Sequence, residues 1–116
     1  MKKNRKLQLA ALLALLAAGS LFGAEKRDIP YYDPSFPQTG NREYLKERCK
    51  LDLFLPEGKQ NFPTLIWFHG GGLTGGSKHY PTGIDRKEIA VASVNYRLSG
   101  KRAQCPDYLY DAAAAI

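Results

Sequence analysis

Pro63-Thr64-Leu65-Ile66-Trp67-Phe68 is a nearly continuous apolar run that stops at His69-Gly70-Gly71-Gly72-Leu73-Thr74-Gly75-Gly76. A strand without a polar face has to be covered on both sides, as it is inside a parallel sheet flanked by helices. The glycines that follow carry no Cβ, so successive N–H groups can turn toward one point and approach a ligand closely. The composition, 44% hydrophobic and 24% charged, is that of a globular domain and excludes collagen-like, coiled-coil and broadly disordered chains.

The segments on either side extend the pattern. Leu51, Leu53 and Leu55 alternate with Asp52 and Phe54 before Pro56-Glu57-Gly58, which predicts a strand and a turn. Ile89 to Tyr96 predicts a second strand of the fully buried kind, and Tyr80 to Glu88 a short helix weakened by Pro81 and Gly83. Pro106 to Ile116 opens a helix, with acidic residues in its first turns and an alanine run behind them. That helix runs to Ile116 without a C-terminal cap. Strand, turn, buried strand, glycine loop, buried strand and helix predict a layered α/β architecture with a mostly parallel sheet.

Seventeen Lys and Arg against eleven Asp and Glu give a net charge of +6, of which Lys2, Lys3, Arg5 and Lys6 supply +4. No second basic block follows, which argues against a nucleic-acid binder. The basic start, the apolar run Leu7–Ala18 broken only by Gln8, and the small residues after it have the form of a secretory signal. Ala17/Gly19, Ala18/Ser20 or Phe22/Ala24 fill the cleavage positions. The run is shorter than the roughly 18–20 apolar residues of a stable membrane span. The expected organisation is a signal peptide over 1–24, an extended Pro/Tyr-rich entry segment over 25–45, and the α/β portion over 46–116. Three prolines, Pro30, Pro34 and Pro37, disfavour helix and central strand in the entry segment. An exported chain permits a Cys49–Cys105 disulfide, and two separate half-buried thiols fit the sequence equally well. No Cys/His spacing resembles a zinc site.

The glycine loop carries the chemistry. A phosphate-binding P-loop requires Lys then Ser/Thr after its last glycine, and here Ser77-Lys78 stand in the reverse order. A dinucleotide fingerprint requires an acidic residue at the end of the next strand, where Asn95-Tyr96-Arg97 stand instead. His-Gly-Gly-Gly after an apolar strand matches the context of the oxyanion loop of lipases and esterases.

Leu51-Asp52-Leu53-Phe54-Leu55-Pro56, Trp67 through Gly72, Ser93-Val94-Asn95-Tyr96-Arg97-Leu98, and Pro106, Asp111 and Ala114 occur in that order. Over about residues 45–116 the chain resembles the N-terminal third of α/β-hydrolase esterases of the hormone-sensitive-lipase-like group. Among these it is most similar to secreted bacterial proteins like the bifunctional feruloyl and acetyl-xylan esterases. The resemblance implies that the N–H groups of Gly71 and Gly72 form an oxyanion hole, that Gly70 allows their turn, and that His69 orients the loop without being the catalytic base. It implies structural roles for Tyr96, Arg97 and Asp111, and no metal or organic cofactor. It also implies a small-molecule or polysaccharide-linked ester as substrate, in the periplasm or outside the cell.

The nucleophile of such an enzyme sits in a G-x-S-x-G elbow, followed by an acid and a histidine. Ser20, Ser35, Ser77, Ser93 and Ser99 are not so flanked. Gly75-Gly76-Ser77-Lys78-His79 comes near by letter, but His79 replaces the second glycine and the segment precedes a strand instead of joining strand to helix. The chain is therefore expected to supply an oxyanion hole and no nucleophile, to be inactive alone, and to expose apolar sheet edges. The alternatives are a fragment of a prolyl-oligopeptidase-type serine peptidase, a non-catalytic hydrolase-fold protein, or an inactive gene fragment.

Overall fold

A computed structural model describes residues 23–116. Four strands, β1 (Ala24–Pro30), β2 (Lys50–Leu55), β3 (Thr64–Phe68) and β4 (Ala90–Val94), form one sheet in the order β1-β2-β4-β3. The helices are α1 (Arg42–Arg48) and α2 (Asp107–Ala115). β1 and β4 both run antiparallel to β2, while β3 and β4 are parallel. The expected α/β class holds, with a sheet that is mixed among the described residues. The expected signal segment lies outside the described residues, except that Ala24 begins β1.

Period-two alternation places Leu51, Leu53 and Leu55 on one face of β2, where they cluster with Ala90, Ala92 and Val94 of β4. Ile66 and Phe68 of β3, Ala115 of α2 and Tyr31 pack against this cluster. The opposite face is covered too. There Asp52 accepts from the Lys78 ammonium at 2.7 Å and from the Asp28 N–H at 2.9 Å, and the Ser93 hydroxyl donates to the His79 carbonyl at 2.6 Å. β4 is buried along its whole length, as expected for it. β3 is only half-buried, contrary to expectation, because β4 is its one strand neighbour among the described residues.

Parallel strands need a long crossover, usually helical. Here residues 69–89 make that connection without a helix, and the short helix expected at Tyr80–Glu88 is replaced by turns. Gly83 sits at a φ of +77° and the Asp85 carboxylate accepts from the Lys87 N–H, both of which break a helical run. The expected extended entry segment also contains more regular structure than its prolines suggest. Pro30 closes β1 at the sheet edge, where a missing N–H is tolerated. Asn41 caps α1 by accepting from the Tyr44 N–H at 2.9 Å, and Tyr44 and Leu45 are buried.

α2 is fixed to the sheet by a buried ion pair. Arg97 and Asp111 are both fully buried. The Arg97 guanidinium donates to the two Asp111 oxygens at 2.8 and 2.9 Å, and the Arg97 backbone N–H adds a third bond at 2.9 Å. Tyr32 donates to the same carboxylate at 2.5 Å, and the guanidinium donates to the Thr39 carbonyl. Removing one partner strands the other charge without solvent. Arg97→Met should therefore lower stability by about 3–5 kcal/mol, seen as a lower denaturant midpoint. The double variant Arg97→Met/Asp111→Leu should recover part of that loss, since no charge is then left unpaired, although the Tyr32 hydroxyl and the backbone N–H of residue 97 lose their acceptor.

Candidate functional site

His69 leaves the end of β3 buried, 3% exposed, and the loop that follows is exposed from Gly70 to Thr74. The His69 ring stacks on the Tyr96 ring with centroids 4.6 Å apart and planes 11° from parallel. The Tyr96 hydroxyl donates to the His69 carbonyl at 2.7 Å. Nδ1 of His69 lies 2.7 Å from the Gly70 carbonyl, and Nε2 lies 3.2 Å from Nη2 of Arg48. Both ring nitrogens and the main chain of this residue are thus held.

The loop then doubles back. Gly71, Gly72 and Leu73 have φ of +127°, +62° and +65°. Thr74 and Gly75 donate to the Gly71 carbonyl at 3.2 and 3.1 Å. A Cβ on Gly71 would lie 2.2 Å from the Gly75 carbonyl oxygen, so this backbone-to-backbone approach requires glycine. A Cβ on Gly76 would fall 2.5 Å from Nδ1 of His69. Leu73 tolerates the left-handed conformation because its carbonyl accepts from the Ser99 N–H at 2.7 Å. Among the described residues no hydrogen bond is donated by the N–H of Gly71 or Gly72. Two such donors beside a reacting carbonyl can bind a developing oxyanion.

Each residue singled out from the sequence has a definite place. His69, Gly70, Gly71 and Gly72 are brought together at the end of β3, with Gly70 taking part through its carbonyl. Gly70 itself has space around it and no left-handed φ. Tyr96 belongs to the loop's support, whereas Arg97 and Asp111 form the separate pair behind it. Ser77 and His79 do not form a nucleophile–base pair. Nδ1 of His79 faces the Ser77 backbone carbonyl at 3.1 Å, and its ring packs edge-on to Trp67. Cys49 is buried and Cys105 exposed, both as free thiols, and burial pushes the Cys49 thiol up to about 12.

Two supporting residues were missed from sequence. Arg48 comes from α1, whose Asn41 cap and acidic-to-basic charge order were legible signals of a helix start and end. Asn95 holds the far end of the loop by accepting from the Lys78 N–H at 2.6 Å. Burial lowers the pKa of His69, the nearby Arg48 and His79 act in the same direction, and the Gly70 carbonyl opposes them.

The model of the BD-FAE family matches residues 51–116. A kynurenine formamidase from Aspergillus versicolor is 30% identical over 109 residues, which span 79% of this chain and 37% of that protein. Esterase B from Lactobacillus rhamnosis aligns at a TM-score of 0.51 and 22% identity, over 94% of this chain and 35% of the other. A bacterial heroin esterase aligns at a TM-score of 0.51 and 24% identity, over 96% and 34%. The chain thus spans little more than a third of the length of these three proteins.

Gly71→Ala should displace the loop, read as large amide shifts from His69 to Gly76 in NMR spectra. Gly70→Ala should leave those amides nearly in place, because its Cβ meets nothing within 4 Å. His69 should titrate with a midpoint below its ordinary 6.5. Below that ordinary value the unfolded chain takes up a proton that the folded chain resists. This group's contribution to stability is therefore complete above the ordinary value and lost as pH falls through the folded one. An NMR titration of the His69 ring measures the midpoint, and one at or above 6.5 contradicts the burial argument.

Proposed function

The chain belongs to the BD-FAE family, and we propose that it is the oxyanion-hole segment of an exported serine carboxylic ester hydrolase. The observation that carries this reading is the pair of uncommitted N–H groups on Gly71 and Gly72, exposed at the end of β3 in a loop held at both ends. In the complete enzyme a serine attacks the ester carbonyl. The carbonyl oxygen gains negative charge, and the two N–H groups donate to it. Loss of one such donor costs about 2.7–4 kcal/mol of transition-state stabilisation. A histidine from elsewhere in the fold takes the serine proton and returns it to the leaving alcohol, and water then releases the acid. His69 is not that base, since both of its ring nitrogens already face loop-supporting partners.

The nucleophile, acid and base belong to parts of the enzyme outside these residues, in keeping with the absence of a G-x-S-x-G among them. The substrate class is a short acyl or aromatic ester, including feruloyl or acetyl groups on plant polysaccharide, by the family resemblance. The basic start and the apolar Leu7–Ala18 run support export. Among the described residues no helix is long and apolar enough to cross a membrane. The likeness to a kynurenine formamidase favours an N-formyl arylamine as a second substrate class, because its hydrolysis passes through the same oxyanion.

The test compares the 116-residue chain with the complete natural protein on p-nitrophenyl acetate and on an N-formyl arylamine. The short chain should show no serine-dependent turnover. The complete protein should hydrolyse the ester and lose that activity to a phosphonate inhibitor. A natural gene without a G-x-S-x-G motif would sink the esterase reading in favour of a non-catalytic hydrolase-fold protein.

A further inference from the structure

We infer that Arg48 is a positioning residue for the oxyanion hole: its guanidinium selects the tautomer of His69 and thereby the direction in which the Gly71 N–H points. The inference rests on the reading of Gly71 and Gly72 as oxyanion donors. A guanidinium has only donors to offer. Nη2 of Arg48 lies 3.2 Å from Nε2 of His69, so Nε2 has to present its lone pair. The ring proton is then on Nδ1, which donates to the Gly70 carbonyl at 2.7 Å. That bond turns the Gly70 oxygen toward the ring. In a trans peptide the next N–H points the opposite way, so the Gly71 N–H is directed away from His69, toward the exposed side of the loop.

The same guanidinium reaches further. Nε donates to the Tyr96 carbonyl at 3.0 Å, and Nη2 also donates to the Gly76 carbonyl. Arg48 therefore joins the end of β3, the segment just past β4 and the far end of the glycine loop. A planar fork is suited to three acceptors in different directions, and a lysine ammonium on a flexible stem reproduces this only in part. Tyr96 closes the arrangement by stacking on the imidazole, which hinders a ring flip that would put Cδ2 and Cε1 in the places of Nδ1 and Nε2.

The experiment uses the complete natural protein with 15N-labelled histidine. In the wild type, His69 should show the Nδ1–H tautomer, and this reading requires no variant to fold. In Arg48→Met the ring should move toward the Nε2–H form. Its kcat for p-nitrophenyl acetate should fall by roughly 100-fold, the lower end of what loss of an oxyanion donor costs, with KM little changed because the interaction is made in the transition state. Arg48→Lys should restore part of the rate. Nε2–H in the wild type overturns the inference, as does an Arg48→Met protein with unaltered tautomer and kcat. If the wild type hydrolyses no ester, the functional reading fails, while the tautomer still decides whether Arg48 governs His69.

Discussion

The Arg97–Asp111 pair is the constraint on which the rest of the structure depends. Two charges without solvent exposure are costly unless every donor and acceptor is matched, and here they are matched by segments far apart in sequence. Asp111 brings α2 against the strand end, Tyr32 and Thr39 bring the entry segment, and the Arg97 backbone fixes the chain just after β4. The residue before it is Tyr96, whose ring supports His69. Fixing Arg97 therefore fixes the platform of the glycine loop, although the pair touches none of the loop's own atoms. Burial and hydrogen bonding to the Asp111 carboxylate leave the Tyr32 phenol harder to ionise than usual, so this latch stays in its neutral form.

The connection from β3 to β4 serves two ends that a helix would have served separately. Its first part makes the exposed loop, and its second part lies over the sheet face that carries Asp52 and Ser93. Lys78 is central to that second role. Its ammonium bridges Asp52 and Asp28 at 2.7 and 3.0 Å, and its backbone N–H is held by Asn95. Buried carboxylates demand such partners, so Asp52, which looks like the polar side of an alternating strand, instead ties the crossover down. Phe54, Tyr80 and Arg86 continue the cover, with the guanidinium 4.8 Å from both ring centroids.

What the sequence made legible follows the range of the interactions involved. β2, β3, β4, α2 and the glycine loop were readable because their signals are local: alternation in Leu51–Leu55, an unbroken apolar run before His69, and acidic residues opening α2. The half-burial of β3 was not readable, since it depends on which strands flank it and not on its own residues. α1 was obscured by the prolines around it, although Asn41 marked its start. Arg48 carries no local signal of its role. Its role depends on His69 and Gly76, 21 and 28 residues away, and no spacing rule reaches that far.

A loop with five glycines in eight residues ought to be a poor place for precise geometry. Glycine loses more conformational freedom on ordering than any other residue, and each fixed residue costs about 1–2 kcal/mol in backbone entropy. The loop is nonetheless held along its length: at His69 by Tyr96 and Arg48, within the turn by Thr74 and Gly75 donating to Gly71, at Leu73 by Ser99, and at Gly76 by Arg48 again. Those holds leave the Gly71 and Gly72 N–H groups uncommitted. Three of the anchoring residues, Tyr96, Ser99 and Arg48, come from outside the loop, and they reach it only once β4 lies beside β3 and α1 is capped. The order of the site is thus supplied by the sheet and α1, while the glycines contribute the shape that no other residue could adopt.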